Sequence, residues 1–263
     1  MEKFNFKKKF GQNFISDKNL IDKITNLVQI TSDDLVIEVG PGNGALTINL
    51  VNKAKYVLIY EIDKELENVI NNKLINYNNY NLIIKDFLDV DIDKEVKNYD
   101  YDNLVFVSNL PYYITTPIIK KFIDSNVLCD YMVVMVQEEV ANRFCANVGS
   151  KDYGSLSVFL QAFYDIKKEL KVNRKLFNPI PNVDSAVVVM KKKENIKIDN
   201  IEFFKKFVRD CFRFKRKNLK NNLNGYDLDI IENILLNYNM NLGYRAEDIS
   251  VDLFIEIANI LDK

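Results

Sequence analysis

The sequence predicts an α/β fold, in which a mostly parallel β-sheet with an antiparallel edge strand is followed by a small C-terminal all-α domain. Two observations predict it. Between residues 35 and 136, short apolar runs alternate with helix-like stretches, whereas from Ile201 onward apolar residues recur every three to four positions. With 263 residues, 48% of them hydrophobic, the chain is long enough to bury a substantial core.

Five apolar runs predict the parallel strands, and they cover residues 35–39, 56–60, 82–84, 104–107 and 131–136. A helix is predicted at 156–163. Two further strands, at 165–172 and 184–190, follow it and can pair as an antiparallel edge. The sequence Phe177-Asn178-Pro179-Ile180-Pro181 connects these two strands, and its prolines make it rigid.

The periodicity from Ile201 onward is that of amphipathic helices, with Phe203, Phe204, Phe207 and Val208 as the first apolar group. We therefore predict two domains, residues 1–193 and residues 199–263. The boundary falls in the charged stretch 191–199.

The composition excludes several kinds of chemistry. The chain has no histidine, and its three cysteines, Cys129, Cys145 and Cys211, lack the spacing of a zinc site. Catalysis by a histidine base or a zinc ion is therefore excluded, and no metal is expected. No segment reads as a signal peptide or a membrane span, which predicts a cytoplasmic protein with no membrane partner.

The net charge of −1 conceals a strong segregation of charge along the chain. Residues 167–220 carry 17 Lys/Arg and 6 Asp/Glu, whereas residues 221–263 carry 2 and 8. The basic block is either a solvated face or a surface that binds a polyanion, and charge alone leaves the two interpretations open.

The segment VIEVGPGNGALT leads a predicted strand into a loop that contains Gly40, Gly42 and Gly44, and then into a helix. Glycines allow a sharp turn and a close approach of the backbone to a ligand, and the start of the helix offers free N–H donors. Taken alone, this spacing is a weak signal, because a tight strand-to-helix turn without a ligand also uses it.

Carboxylates at the ends of successive strands favour the ligand-binding interpretation. Glu38 lies on the first strand, Glu61 ends the second about twenty residues beyond the glycines, and Asp86 ends the third. An acidic residue at the second position can accept hydrogen bonds from both ribose hydroxyls. Because no second phosphate-binding motif is present, a nucleoside cofactor without phosphates is favoured, and S-adenosylmethionine fits.

The segment SNLPYYITTPII ends the fourth strand in a stiff turn, because Pro111 has no N–H donor and keeps Leu110 out of helical geometry. The Asn109 side chain and the Leu110 carbonyl can accept hydrogen bonds from an adenine amine, which makes its nitrogen a better nucleophile toward a methyl sulfonium. Tyr112 can stack on the base. This chemistry needs no strong base, which is consistent with the absence of histidine.

Nine segments together resemble the ribosomal RNA adenine N6,N6-dimethyltransferases, over nearly the whole chain and in the expected order. They are KKKFGQNFISD, EVGPGNGALT, YEID, KDFLDVD, NLPYYITTPII, QEEVANRF, KDYGSLSV, FNPIPNVDSAVV and YRAEDISVDLF. The segments FNPIPNVDSAV and RAEDIS are more similar to the small-subunit enzymes (KsgA type) than to the large-subunit, antibiotic-resistance enzymes (Erm type).

The resemblance implies a Rossmann-like S-adenosylmethionine methyltransferase sheet and assigns residues to the site. Cofactor binding is implied for Asn13, Ile15, Gly40, Glu61, Asp86 and Asn109, and we add the loop glycines Gly42 and Gly44. The target-adenine pocket is implied for Asn109, Leu110, Pro111, Tyr112 and Phe177, with Phe177 as a second stacking wall. Ile15 stands where leucine is commoner, a volume-conserving difference.

The implied activity is dimethylation of adenine N6 in small-subunit (16S) ribosomal RNA during ribosome assembly, by a monomer whose partner is the small-subunit precursor. Residues 1–193 would be the catalytic domain and residues 199–263 the RNA-binding accessory domain. Candidate phosphate contacts are Lys7, Lys8, Lys9, residues 191–193, Arg213, Lys215, Arg216 and Lys217. The phenylalanines beside these cations are expected to pack in the helical core.

Three alternatives remain at this point. The first is methylation of large-subunit RNA, and the second is an RNA-binding assembly or transcription factor of the same fold that has lost catalysis. Intact Glu61, Asp86 and NLPY argue against the second. A DNA adenine methyltransferase is disfavoured, since those enzymes usually carry DPPY or NPPF.

Overall fold

The computed structural model describes residues 13–15 and 17–263. These residues contain nine strands, β1 (Phe14–Ile15), β2 (Leu35–Val39), β3 (Tyr56–Glu61), β4 (Tyr80–Ile84), β5 (Leu104–Asn109), β6 (Tyr131–Gln137), β7 (Tyr164–Val172), β8 (Phe177–Asn178) and β9 (Ser185–Lys192). Seven of them form one sheet in the order β4-β3-β2-β5-β6-β9-β7. Strands β1 and β8 form a separate two-stranded antiparallel pair, in which Ile15 is paired with Phe177.

The sheet confirms the predicted fold class. Strands β2 to β6 pair in parallel, and β9 pairs antiparallel with β6. Strand β2 is buried along its whole length, and β3, β5 and β6 are buried except at their ends. Burial on both faces explains why these strands are continuous apolar runs in the sequence rather than alternating ones.

The helices are α1 (Lys18–Thr25), α2 (Thr47–Val51), α3 (Glu67–Lys73), α4 (Ile92–Val96), α5 (Thr115–Asp124), α6 (Glu138–Phe144), α7 (Ser155–Phe163), α8 (Ile201–Cys211), α9 (Leu219–Asn222), α10 (Leu228–Leu236) and α11 (Val251–Leu261). Polar side chains fix several of their starts. Asp17, for example, accepts a 2.8 Å hydrogen bond from the Leu20 N–H at the start of α1, and Ser250 accepts one of 3.2 Å from the Leu253 N–H at the start of α11.

The chain divides into two compact units, residues 1–141 with 167–192, and residues 142–166 with 193–263. This division differs from the predicted domain bounds because residues 142–166 belong with the carboxyl-terminal unit. The reason is packing within that unit, where Phe159 and Phe163 of α7 lie edge-on to Phe204 of α8, with ring centroids 6.3 and 6.5 Å apart.

Further aromatic contacts lie in the core of the carboxyl-terminal unit. Phe207 of α8 contacts Phe254 of α11 and Tyr226, with centroid distances of 6.3 and 5.5 Å. The predicted helical periodicity of residues 203–208 is thus confirmed by burial of Phe204, Phe207 and Val208. Within the described residues, no helix combines the length and the apolar character needed to span a membrane.

Candidate active site

The site lies where the chain order of the strands reverses. Strand β3, which follows β2 in the chain, is the neighbour of β2 on one side, and β5 is its neighbour on the other. The carboxyl ends of β2 and β5 therefore flank a crevice. The Ser108 hydroxyl of β5 donates a hydrogen bond to the Val39 carbonyl, and the Gly40 N–H donates one of 2.8 Å to the Tyr60 carbonyl. The first bond ties the end of β5 to the end of β2, and the second ties the end of β2 to β3.

The glycine loop after β2 depends on glycine for two separate reasons. Gly40 and Gly42 have φ values of +69° and +59°, which L-residues with a side chain rarely adopt. In addition, a Cβ atom at Gly42 would lie 2.7 Å from Cε1 of Phe14. The loop therefore brings bare backbone against the β1 segment, which no larger residue would allow.

Glu61 ends β3 with its carboxylate buried and held by backbone donors. The Asp63 N–H donates a 2.9 Å hydrogen bond to Oε1, and the Gly42 N–H donates one of 3.4 Å to Oε2. Burial raises the pKa of Glu61 above its ordinary value, and the backbone donors oppose that shift. The carboxylate is therefore fixed in position beneath the glycine loop.

Glu38 is a second buried carboxyl group at the cavity, and its side chain is only 1% exposed. Its Oε2 atom has no hydrogen-bond partner among the residues that the structure describes. Burial raises the pKa of Glu38 to about 8, and the charge of Glu61 adds to that shift. This raised pKa favours the protonated form of Glu38 at neutral pH.

Asp86 follows β4 and is oriented by its own backbone turn. Its Oδ1 atom accepts a 2.9 Å hydrogen bond from the Leu88 N–H and so caps a short helical turn. The second oxygen carries no bond within the described part of the chain, and the residue lines the cavity.

The turn after β5 is fixed by three hydrogen bonds. The Asn109 side-chain nitrogen donates a 3.0 Å bond to the Asn13 carbonyl, and the Leu110 N–H donates one of 3.2 Å to the Met135 carbonyl. The Tyr112 hydroxyl lies 2.7 Å from Oγ of Ser185 on β9. These contacts hold the Asn109 amide and the Tyr112 ring in defined orientations.

A cavity of about 230 Å³ joins these elements. Most of the predicted site residues line it. They are Asn13, Ile15, Gly40, Gly42, Glu61, Asp86, Asn109, Leu110, Pro111 and Tyr112. The structure thus brings together predicted residues from β1, β3 and β5 and from the segments that follow β2 and β4.

Two predicted site residues are not in contact with the cavity. Gly44 takes part in the loop, where its N–H donates a 2.9 Å hydrogen bond to the Pro41 carbonyl. Phe177 is 3% exposed and belongs to the hydrophobic core. Its role as a second stacking wall stays a prediction, as does cofactor binding by Gly44. Lys7, Lys8 and Lys9 lie outside the described residues.

The cavity wall also contains residues that the sequence did not single out. Phe14, Asn43, Ile62, Lys85 and Tyr113 line it. Phe14 and Tyr113 are neighbours of predicted residues, and that adjacency was the available signal. Ile62 directly follows Glu61, and an apolar residue just after a strand-end carboxylate was a further signal. In the structure Ile62 is 40% exposed. Asn43 lies between Gly42 and Gly44, and Lys85 directly precedes Asp86, so adjacency was the available signal for them as well.

Comparison with known proteins identifies a matching family. Residues 3–263 match the model of a family described as "Ribosomal RNA adenine dimethylase". The chain is 42% identical over 251 residues to the ribosomal RNA small subunit methyltransferase A of Mycoplasma mobile, which covers 95% of this chain and 96% of that protein. It is 40% identical to the enzyme of the same name from Bacillus pumilus, covering 99% of this chain and 92% of that one.

Solved structures show the same architecture. A dimethyladenosine transferase from Plasmodium falciparum superposes with a TM-score of 0.79 at 28% identity, covering 93% of this chain and 95% of that one. The 23S rRNA methyltransferase ErmE superposes with a TM-score of 0.74 at 26% identity, covering 95% and 100%. Both are similar to this chain over both of its compact units.

Proposed function

The chain belongs to the ribosomal RNA adenine dimethylase family, and on this basis we propose that it transfers methyl groups from S-adenosylmethionine to adenine N6 in small-subunit ribosomal RNA during ribosome assembly. The observation that carries the proposal is the placement of Asn109 beside a cavity lined by Gly40, Gly42 and Glu61. The turn that carries Asn109 thus supplies acceptors for the target amine, and the glycine loop and Glu61 form a site suited to a nucleoside cofactor.

The cavity suits S-adenosylmethionine in its donor set. The buried Glu61 carboxylate can accept hydrogen bonds from ribose hydroxyls, Asp86 can accept one from the adenine amine, and the glycine loop provides close backbone approach. Oε2 of Glu38, which has no partner within the described part of the chain, leaves an acceptor for a cationic ligand. When bound, the cofactor supplies an activated methyl group on a sulfonium.

Asn109 and Leu110 would act on the target nitrogen. An adenine amine is a weak nucleophile because its lone pair is delocalised into the ring. If the Asn109 side-chain oxygen and the Leu110 carbonyl accept its two hydrogens, the nitrogen is held with its lone pair directed out of the ring plane. These preorganised acceptors also stabilise the positive charge that develops on the nitrogen during transfer.

Tyr112 would hold the target base by stacking, since its hydroxyl is tied to Ser185 and its ring therefore has a fixed orientation. Phe177 would supply the opposite wall only after its ring leaves the core. We retain it as a proposed pocket residue on the strength of the sequence resemblance.

The RNA-binding surface is proposed to include Arg213, Lys215, Arg216 and Lys217, all of which are exposed. Lys7, Lys8 and Lys9 are proposed as a second contact. We accordingly propose that residues 1–193 form the catalytic domain and that residues 199–263 form an accessory domain that binds RNA. The expectation of a monomer acting in the cytoplasm belongs to the same proposal.

Small-subunit RNA is the favoured substrate because relatives at about 40% identity are named for it. The large-subunit alternative has support from ErmE at 26% identity. The loss of catalysis is disfavoured because Glu61 and Asn109 both lie at the cavity.

One experiment separates these functions. The purified protein and S-adenosylmethionine with a labelled methyl group are incubated in three parallel reactions. The reactions contain unmethylated small-subunit particles, large-subunit particles or naked ribosomal RNA. We expect N6,N6-dimethyladenosine in the digested RNA of small-subunit particles. Label in large-subunit RNA would establish the alternative substrate, and absence of label in all three would establish a protein without catalysis.

A further inference from the structure

The loop that follows α8 carries an exposed aromatic ring among positive charges. Helix α8 ends at Cys211, and residues 213–217 (the sequence RFKRK) are all exposed. Phe214 is 53% exposed. This corrects the expectation that the phenylalanines beside the cations pack in the core. Phe212 does so, with its ring 5.7 Å from that of Phe254, but Phe214 does not.

The loop backbone is held in place by a buried side chain. Asn222, which is 8% exposed, accepts a 3.0 Å hydrogen bond from the Phe214 N–H. Its amide nitrogen donates 3.3 Å bonds to the carbonyls of Phe214 and Lys217. The Lys217 N–H also donates a 2.8 Å bond to the Phe214 carbonyl. Exposure of the Phe214 ring is therefore built into an ordered turn.

The charges around the ring are available for an outside partner. Within the described part of the chain, none of the four cations Arg213, Lys215, Arg216 and Lys217 forms a salt bridge. The neighbouring carboxylate, Asp210, accepts a 2.7 Å hydrogen bond from the Tyr226 hydroxyl. The Arg213 guanidinium lies 5.5 Å from the centroid of the Phe214 ring.

We propose that Phe214 stacks on an unpaired base of the ribosomal RNA, while the cations of the loop contact the adjacent phosphates. This inference rests on the proposed function. It adds a contact with a base at a site to which only contacts between cations and phosphates were otherwise assigned. Since Arg213 lies over one face of the ring, the base would occupy the other. The combination of an aromatic platform with a cationic loop is the usual means of binding a single strand.

The ring selects for unpaired RNA. In a paired A-form helix the faces of the bases are stacked on one another and are not available to a side chain. The four cations would bind either form, because phosphates are present in both. A base in a loop, a bulge or a single-stranded segment can use the ring and the charges together.

The test compares two variants at Phe214. Phe214→Leu removes the aromatic face, and Phe214→Tyr keeps it. The matched control is Tyr238→Leu, since Tyr238 is 49% exposed in the same unit but bonds to Glu256 in an acidic segment. Affinity is measured for a small-subunit RNA hairpin with an unpaired loop and for a fully paired duplex of equal length, by fluorescence anisotropy at several salt concentrations. Circular dichroism checks the fold of each variant.

We expect Phe214→Leu to weaken hairpin binding by at least about fivefold, the lower end for loss of one stacked base. Its salt slope should match the wild type because no charge is removed. Phe214→Tyr and Tyr238→Leu should bind as the wild type does. Hairpin affinity of a folded Phe214→Leu within twofold of wild type would overturn the proposal, and so would an equal loss for the duplex. Because binding is measured without methyl transfer, a failure of the proposed enzyme activity would be seen separately.

Discussion

The side-chain nitrogen of Asn109 donates a 3.0 Å hydrogen bond to the backbone carbonyl of Asn13. This bond commits the donor end of the amide to the residue just before β1 and leaves Oδ1 as the end that can accept, since Oδ1 has no bond within the described residues. The orientation needed to accept a hydrogen from an adenine amine is therefore set before any substrate binds. It also ties the Asn13 segment to the turn that would hold the target base.

Two substitutions at Asn109 test the acceptor and its orientation. Asn109→Ala removes both the acceptor and the bond to Asn13, and we expect kcat for methyl transfer to fall by about 10²-fold or more, the scale for loss of one preorganised polar group in a transition state. Asn109→Asp keeps an acceptor but places an oxygen opposite the Asn13 carbonyl. We expect a loss of activity there too, because the repulsion turns the carboxylate away. Single-turnover rates with small-subunit particles measure both.

RNA affinity is the companion measurement for Asn109, and we expect it to stay within about twofold of wild type in both variants. Asn98→Ala, an exposed asparagine outside the cavity, is the control. Turnover of Asn109→Ala within a factor of about three of wild type would rule out the proposed acceptor role.

Glu61→Ala should weaken S-adenosylmethionine binding by ~2–3 kcal/mol, the scale for loss of a charged hydrogen-bond partner. The physical reason is that the N–H groups of Gly42 and Asp63 hold the carboxylate in a fixed position at the cavity. Isothermal titration calorimetry measures the affinity, and the exposed Glu67→Ala serves as the control. An unchanged dissociation constant in a folded Glu61→Ala would remove Glu61 from the cofactor site.

Gly42→Ala and Gly149→Ala form a matched pair at positive φ. The values of φ are +59° and +78°, so both substitutions should lower stability by about 1–2 kcal/mol through backbone strain. The new Cβ would lie 2.7 Å from the Phe14 ring at Gly42, whereas at Gly149 no atom of the described residues lies within 4 Å of it. We therefore expect loss of cofactor binding for Gly42→Ala alone. Equal affinities of the two variants in calorimetry would show that the contact with Phe14 is unimportant.

Much of the sheet could be predicted from the sequence because its strands are buried on both faces. The run at residues 35–39 coincides with β2 for this reason. The pairing of β1 with β8 could not be predicted, since each strand has two residues and two residues carry no periodicity. That pairing draws Phe177 into the core, which explains why a residue assigned to the pocket by resemblance is buried here.

The end of a helix limits what periodicity can predict. Up to Cys211, the spacing of the phenylalanines correctly indicates which of them are buried. Phe214 follows the helix, where the backbone turns under the control of Asn222, and helical spacing no longer applies. Its exposure depends on a contact eight residues along the chain, which the local pattern does not contain.

Glu38→Gln should change how the stability of the cofactor-free protein depends on pH. The pKa of Glu38 is raised to about 8 from an ordinary value of 4.5, so between these pH values the unfolded chain ionises Glu38 and the folded protein does not. The wild type therefore loses stability as pH rises through this window, by up to ~1.4 kcal/mol per pH unit from this group. Glutamine cannot ionise, so the Glu38→Gln variant does not lose stability with rising pH for this reason.

Urea unfolding without cofactor, at pH 5, 6, 7 and 8, measures the effect of Glu38. We expect the advantage of wild type over Glu38→Gln to shrink steadily as pH rises, whereas the exposed Glu67→Gln should run parallel to wild type. A constant difference between wild type and Glu38→Gln across the series would contradict the raised pKa.

The basic loop provides the last prediction. Joint replacement of Arg213, Lys215, Arg216 and Lys217 by glutamine should weaken RNA binding and flatten its dependence on log salt, by up to ~0.7–0.9 per lost phosphate contact. Cofactor affinity should not change, because the cavity is lined by residues 13–114. The control replaces four exposed lysines of the other unit, Lys23, Lys55, Lys94 and Lys97. Since total charge changes equally in both variants, a salt slope that falls only in the loop variant identifies a local contact. A wild-type slope in the loop variant would instead assign the RNA surface to the Lys7, Lys8 and Lys9 end of the chain.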